Sequence, residues 1–316
     1  MSIFRTEIEI PKSDFRISHE NNIFLIGSCF TENIGQKLNN AGFNVEINSF
    51  GTQYNPISIA NSIKLIIAKL QLQKDDFIFH ENLWKSFYHY SSFNSPNESE
   101  LIAKVNDKIN YADIFLKSSK YLIITFGTAW IYRYKKTNKI VSNCHKIHAN
   151  EFTRELLSVE NIVEIYTDLI NSVISYNSDI KIIFSVSPIR HLKDGAFGNQ
   201  ISKSTLILAI NTLINNFNCT SYFPAYETFM DDLRDYRFYA EDMLHPSQSG
   251  INYVWKKFTE SLMDKETLMI MSEVEKLNKF VTHRVNNKDS EMYKSFNNTM
   301  NNKIKELKTK YPFINL

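Results

Sequence analysis

Two short segments carry residue types that can form covalent bonds and move protons. The first is Gly27-Ser28-Cys29-Phe30, which lies between a short apolar run and a helical pattern. A hydroxyl or thiol at that junction sits beside the free amides of a helix N-terminus, whose partial positive charge favours a developing oxyanion. Serine also opens helices simply as an N-cap. Cys29 is the competing nucleophile, because a helix N-terminus acidifies a thiol. Ser28 is preferred: if it faces a site, the next residue turns away, and cysteine is often merely buried. The second segment runs Glu241-Asp242-Met243-Leu244-His245-Pro246-Ser247. An Asp three residues ahead of a His can place its carboxylate on imidazole Nδ1 and leave Nε2 free to take a proton. The same residues also fit a solvated turn. Taken together, the segments give the chain order Ser…Asp…His, without the G-x-S-x-G of a nucleophile elbow.

These residues need a scaffold. Residues 22–26 (NIFLI), 43–47, 121–125 (YLIIT), 180–186 (IKIIFSV) and, more weakly, 220–223 read as buried strands. Helical stripes follow them: Ile34, Leu38, Ala41; Ile59, Ile63, Ile66, Ile67, Leu70; Ile162, Tyr166, Leu169, Ile170, Val173 behind Ser158 as N-cap; Leu206, Ile210, Leu213, Ile214, Phe217; and Ile251, Val254, Trp255, Phe258, Leu262 from Pro246 onward. Strand and helix alternate about five times, which predicts an α/β fold with a parallel sheet covered by helices on both faces. Ligands of such sheets sit at the carboxyl ends of the strands, where both segments would lie. Residues 73–110 break the alternation with an aromatic cluster and a polar stretch, and read as an insertion that caps the core or lines a pocket. From residue 264 to 316 the pattern is helical, lysine-rich and strandless. The chain thus divides into a core domain at 1–263 and a helical extension at 264–316.

The 316 residues carry 36 Lys+Arg against 34 Asp+Glu, a net charge of +2, which supplies no field for nucleic acid. Hydrophobic residues at 43% suffice for a large core and exclude a disordered chain. No apolar run approaches the ~20 residues of a membrane span, and the first fifteen residues do not read as a signal peptide. Three cysteines without close pairing form no complete disulfide framework. The expectation is a cytoplasmic protein with reduced thiols, no membrane span and no cofactor. His145 and His148 lack a third ligand nearby, so no metal site is expected.

In this order, GSCFT (27–31), NSFGTQYNPISI (48–59), TFGTAWIY (125–132), NCHK (143–146), SVSPIRH (185–191), NQISKSTL (199–206) and DMLHPS (242–247) resemble the GSCFA-domain family, a relative of the SGNH (GDSL-like) hydrolases. The resemblance spans roughly residues 20–260. It implies a three-layer α/β/α, flavodoxin-like fold, a serine nucleophile and activity on esters. Carried over residue by residue, it makes Ser28 the nucleophile, Asp242 and His245 the acid and base, and the Ser28 and Gly51 amides oxyanion donors. Gly127 matches the third-block glycine. The asparagine usual two positions later is replaced by Ala129, which leaves Thr128 or Asn143 to supply the side-chain donor. The Asp of the GDSL block is missing as well.

His145, Arg190 and His191 are further candidates for lining the pocket, Arg190 as a clamp for carboxylate or phosphate or else as a surface ion pair. Asn199 and Lys203 are candidate polar contacts. The aromatic cluster at 77–93 reads as a second core layer in preference to a sugar-stacking surface. The expected function is a serine esterase or deacylase acting on a small-molecule or glycan O-acyl ester. Acyl transfer to a sugar hydroxyl would use the same residues, and a non-catalytic glycan- or acyl-binding module is the rival from another class. The C-terminal helices are packing elements or a route to a homo-oligomer.

Overall fold

A computed structural model describes residues 6–281 and 291–316; the first residues of the N-terminal segment read above lie outside this range. In chain order the elements are β1 (Asn22–Gly27), α1 (Cys29–Asn40), β2 (Val45–Ile47), α2 (Pro56–Ile67), β3 (Phe77–His80), β4 (Leu83–Ser86), α3 (Glu98–Ser118), β5 (Ser119–Phe126), β6 (Trp130–Tyr134), β7 (Lys139–Val141), β8 (Phe152–Leu156), α4 (Val159–Tyr176), β9 (Lys181–Val186), α5 (Gly195–Asn216), β10 (Thr220–Phe223), the single turn α6 (Ala225–Glu227), α7 (Gln248–Leu262), α8 (Lys265–Val281) and α9 (Glu291–Lys310).

Five strands form one parallel sheet in the order β10-β9-β5-β1-β2. Their side chains alternate between two cores, as the two-residue repeat of a strand requires. Phe24, Ile26, Leu122, Ile124, Phe126, Ile182 and Phe184 face α2, α3, α4 and α5. Ile23, Leu25, Tyr121, Ile123 and Ile183 face α1 and α7. The chain is therefore a three-layer α/β/α protein. Burying each such aliphatic or aromatic side chain contributes about 1.5–3 kcal/mol. The strand order reverses between β1 and β5, and the crevice outside their carboxyl ends is where a doubly wound sheet takes ligands.

Several elements differ from the sequence reading. The second strand is Val45–Ile47 only; Phe43 is buried before it, stacked on His19. The stretch 73–110 is not a single insertion. It holds the hairpin β3–β4 and the first half of α3, whose buried Leu101, Val105, Ile109, Ala112 and Leu116 belong to the main core. Residues 130–156, which carry no clear periodicity, form a second, three-stranded antiparallel sheet, β7-β6-β8. Phe87 from the aromatic cluster packs there against Tyr134, Val141 and Phe152, a second core layer as expected. The last core helix is capped by Ser247, whose Oγ accepts from Gly250 N–H, so it starts after Pro246 and not at it.

The C-terminal helices pack on the carboxyl end of α1. Val274 touches Gly42, Asn278 Nδ2 donates to Asn40 O (2.6 Å), and Asn315 N–H donates to Gly42 O (2.9 Å). Ile270, Val274 and Ile314 are buried in this contact.

Gly27 ends β1 with φ at +144°, and a Cβ there would lie 2.2 Å from Thr125 O of the neighbouring strand. Relief would require moving backbone in the sheet centre, and the torsion itself disfavours any other residue. Gly27→Ala is expected to cost more than about 3 kcal/mol, read as a drop in denaturant midpoint. An unchanged midpoint would contradict the packing described.

Candidate active site

A cleft of about 590 Å³ opens at the carboxyl edge of the sheet, enclosed by loops and by strands β6, β7 and β8. Its floor holds Cys29, Thr128 and Ser187 from the ends of β1, β5 and β9; one wall comes from Trp130, Tyr132 and Arg154 of the small sheet; and His245 stands at the rim.

The first chemical segment is held from both sides. Gly27 N–H donates to Asn48 Oδ1 (2.9 Å), and Gly27 O accepts from Gln53 N–H (2.9 Å). Asn48 has a left-handed φ of 47°, which asparagine tolerates, and its Nδ2 also donates to Glu32 Oε2 on α1 (3.1 Å). Ser28 continues the chain in extended conformation as the N-cap of α1, its Oγ accepting from Phe30 N–H (3.3 Å). Ser28 is 1% exposed and is not among the residues lining the cleft; Cys29 is. Ser28, expected to face the site, is buried as the helix cap, and its neighbour, expected to turn away, lines the cleft. The cap geometry turns the Ser28 hydroxyl onto the Phe30 amide, and Cys29 is the one of the two residues that lines the cleft. Burial holds the Cys29 thiol above its ordinary value, with Glu32 adding to the rise; the amides of Cys29 and Phe30 and the charge of Lys203 oppose it only in part.

The second segment forms the expected turn. Asp242 Oδ1 accepts from the amides of Leu244 and His245 (both 2.9 Å), and Oδ2 meets His245 Nδ1 at 2.5 Å. Those two amides, with the imidazole, hold the Asp242 carboxyl down at about 2. The carboxylate fixes the ring and leaves Nε2 as the atom available to the cleft. Both side chains are about half exposed.

The backbone amides expected to cradle an oxyanion are engaged elsewhere. Ser28 N–H donates to Thr125 O (3.2 Å), prolonging the β1–β5 ladder, and Gly51 N–H closes a turn onto Asn48 O (2.6 Å). Gly51 is needed for space: its φ is +89°, and a Cβ would lie 2.2 Å from Tyr90 Cβ. Gly127 and Thr128 both donate to Tyr54 O, and the Thr128 hydroxyl pairs with Ser202 Oγ (3.1 Å). Thr128 and Asn143 do line the cleft; Gly127 does not. Two side-chain amides remain. Asn143 Oδ1 accepts from His145 N–H (2.9 Å), and Asn55 Oδ1 caps α2 by accepting from Ser58 N–H (2.8 Å). Each leaves its Nδ2 without a hydrogen bond among the described residues, and both line the cleft. Asn55 carried no catalytic signal in the sequence, because Asn before Pro reads as a helix cap.

His145 is not at the site. It is 5% exposed, with Nε2 on Ser86 O (2.7 Å), because the left-handed turn at 145–146 tucks it under Phe87. Arg190 and His191 both reach the cleft. Burial and the nearby Lys203, His245 and Arg154 charges push His191 down to about 4, so it is neutral at pH 7. Asn199 accepts from His191 N–H (2.9 Å) and braces this loop. Tyr54, Trp130, Tyr132, Arg154 and Lys193 also line the cleft but were not singled out from sequence.

Lys203 is fully buried, donating to Gly127 O and Ser187 O (both 2.7 Å) at the ends of β5 and β9. A neutral amine has two N–H donors, enough for both carbonyls. Burial pushes Lys203 down to about 7, with Cys29 pulling the other way. The unfolded chain therefore binds a proton at this residue that the folded chain releases above about pH 7. Stability supplied by Lys203 should rise with pH there, by at most about 1.4 kcal/mol per unit. In melts between pH 7 and 8.5, where both proteins carry the same thiols, wild type should gain on Lys203→Met as pH rises. A constant difference would contradict a lowered Lys203 pKa.

No helix among the described residues is long and apolar enough to cross a membrane, and no cluster of three or more His, Cys, Asp or Glu among them could hold a metal ion.

The fold and this cleft define a doubly wound α/β protein with a cleft at its sheet edge lined by Cys29 at a helix start and by His245, whose imidazole is braced by Asp242. The chain belongs to the GSCFA family, whose model matches residues 22–258, and the model for the GSCFA domain protein C-terminal domain matches 274–316. A search of curated proteins found no match. Solved structures with a similar chain path include a Clostridium thermocellum family 3 carbohydrate esterase (10% identity, 80% of this chain and 97% of that one, TM-score 0.38). Others are a putative platelet activating factor from Streptococcus pneumonia (14%, 76% and 83%, 0.40) and a family 2 carbohydrate esterase with a carbohydrate binding domain from Corynascus thermopiles (Myceliophthora fergusii) (11%, 80% and 67%, 0.42).

Proposed function

We propose that the protein is an ester hydrolase that works through Cys29, with His245 as base and Asp242 as the carboxylate that orients it. The observation that carries this reading is the shared cleft: Cys29 at its floor, His245 at its rim and Asp242 behind the imidazole. His245 Nε2 takes the thiol proton as the sulfur attacks the ester carbonyl. The tetrahedral intermediate collapses, the C–O bond breaks, and the imidazolium returns its proton to the leaving alcohol. A thioester remains on Cys29. Water, deprotonated by the same imidazole, then attacks it and releases the carboxylic acid and the thiol. The side-chain amides of Asn55 and Asn143 are the oxyanion donors this reading favours.

Ser28 keeps a structural role as the cap of α1. Transfer of the acyl group to a sugar hydroxyl differs only in which acceptor attacks the thioester. The test is turnover of p-nitrophenyl acetate by the purified full chain, followed with and without prior alkylation of Cys29. Turnover lost with alkylation supports the proposal. Turnover that survives complete alkylation overturns it.

A further inference from the structure

Among the described residues, the cleft is lined by Arg154, Arg190 and Lys193 and by no Asp or Glu, although the chain as a whole is nearly neutral. The three cations are not equivalent. Arg154 is neutralised by a two-pronged pair with Asp194 and lies over the Trp130 ring, 4.0 Å from its centre. Lys193 is exposed and donates to Tyr132 Oη (2.8 Å). Arg190 has no ion pair or hydrogen bond among the described residues, and its buried Nε has no partner. Its guanidinium lies 5.5 Å from the centre of the Tyr239 ring. Asp231, across the adjoining depression, is paired with Arg234 instead (3.1 Å). A partly buried guanidinium without an acceptor is costly unless something else supplies one. The surroundings show what that should be: a cleft with a surplus of positive charge, closed by aromatic walls, with a nucleophile at its floor.

We propose that the substrate carries an anionic group, a carboxylate or a phosphate, and that Arg190 seats it while Lys193 adds a second charge. Planar guanidinium forks match both oxyanions. The inference deepens the hydrolase reading and rests on it for the reaction, but its test needs only Cys29 at the cleft floor.

That test compares alkylation of Cys29 by iodoacetate and by iodoacetamide, which differ by one negative charge. Cys29 is followed by peptide mass spectrometry in the full chain, with the same residue in the urea-unfolded chain as reference. The ratio of the two rates removes the thiolate fraction. The folded protein should favour iodoacetate over the reference by about 5-fold, the effect of one screened charge at cleft distances. The preference should fall in Arg190→Gln, return in Arg190→Lys, and shrink with added salt. Inorganic phosphate should protect Cys29 from iodoacetamide in an Arg190-dependent way if the group is a phosphate. A ratio equal to that of the unfolded chain, or one unmoved by Arg190→Gln, with no phosphate protection, overturns the inference. A protein that turns over p-nitrophenyl acetate without this preference loses the anion assignment alone. A preference without turnover loses hydrolysis alone.

Discussion

Replacing Cys29 by alanine should reduce turnover by about ten-thousand-fold or more, while Ser28→Ala should retain activity within roughly ten-fold. The contrast follows from where the two side chains lie. Cys29 lines the cleft and is the nucleophile proposed above. Ser28 Oγ is buried and satisfies a helix-start amide. Losing that cap should cost about 1 kcal/mol of stability, so Ser28→Ala should melt earlier yet still work. Steady-state rates with a soluble aryl ester, together with melts, separate the two roles. If Ser28→Ala were the dead variant and Cys29→Ala the active one, the assignment would be reversed.

His245→Ala should lose about as much as Cys29→Ala, and the double variant little more, since a nucleophile and its base act as one unit. Asp242→Asn should lose less. A buried triad Asp changed to Asn costs about 10⁴ in rate by trapping the wrong tautomer, but Asp242 and His245 are both about half exposed, so water can partly replace the lost partner. The expected loss is about 10²-fold to 10³-fold, confined to kcat. Additive losses in the double variant would show that the two residues do not act on the same step.

Much of the scaffold was legible. β1, β5 and β9 are buried on both faces and read as unbroken apolar runs, and α4 announces itself by Ser158 and a clear stripe. The small sheet was not legible, because Arg133, Arg154 and Glu155 sit among its aromatics and it packs only one face. Arg154 and Trp130, which form a cleft wall, were lost with it. α3 was hidden by its composition: the polar stretch at 91–100 runs into its first turn, and Asn106, Asp107 and Lys108 separate Val105 from Ile109.

For the site, the Asp242–His245 turn was readable because its three-residue spacing is local. The choice between Ser28 and Cys29 was not. Both types suit a helix start, and only the extended cap at Ser28, pinned through Gly27 by Asn48 and Gln53, decides which one meets the cleft. The contributions of Asn55 and Lys203 likewise depend on contacts made across the sheet edge.

The most direct measurement is to quench the protein during turnover of p-nitrophenyl acetate and map the acetyl group by peptide mass spectrometry. The account predicts one acetyl group, on Cys29, removed by neutral hydroxylamine as a thioester is, and absent in His245→Ala. An acetyl group on Ser28 instead, or a turning-over enzyme that never acylates Cys29, would contradict it.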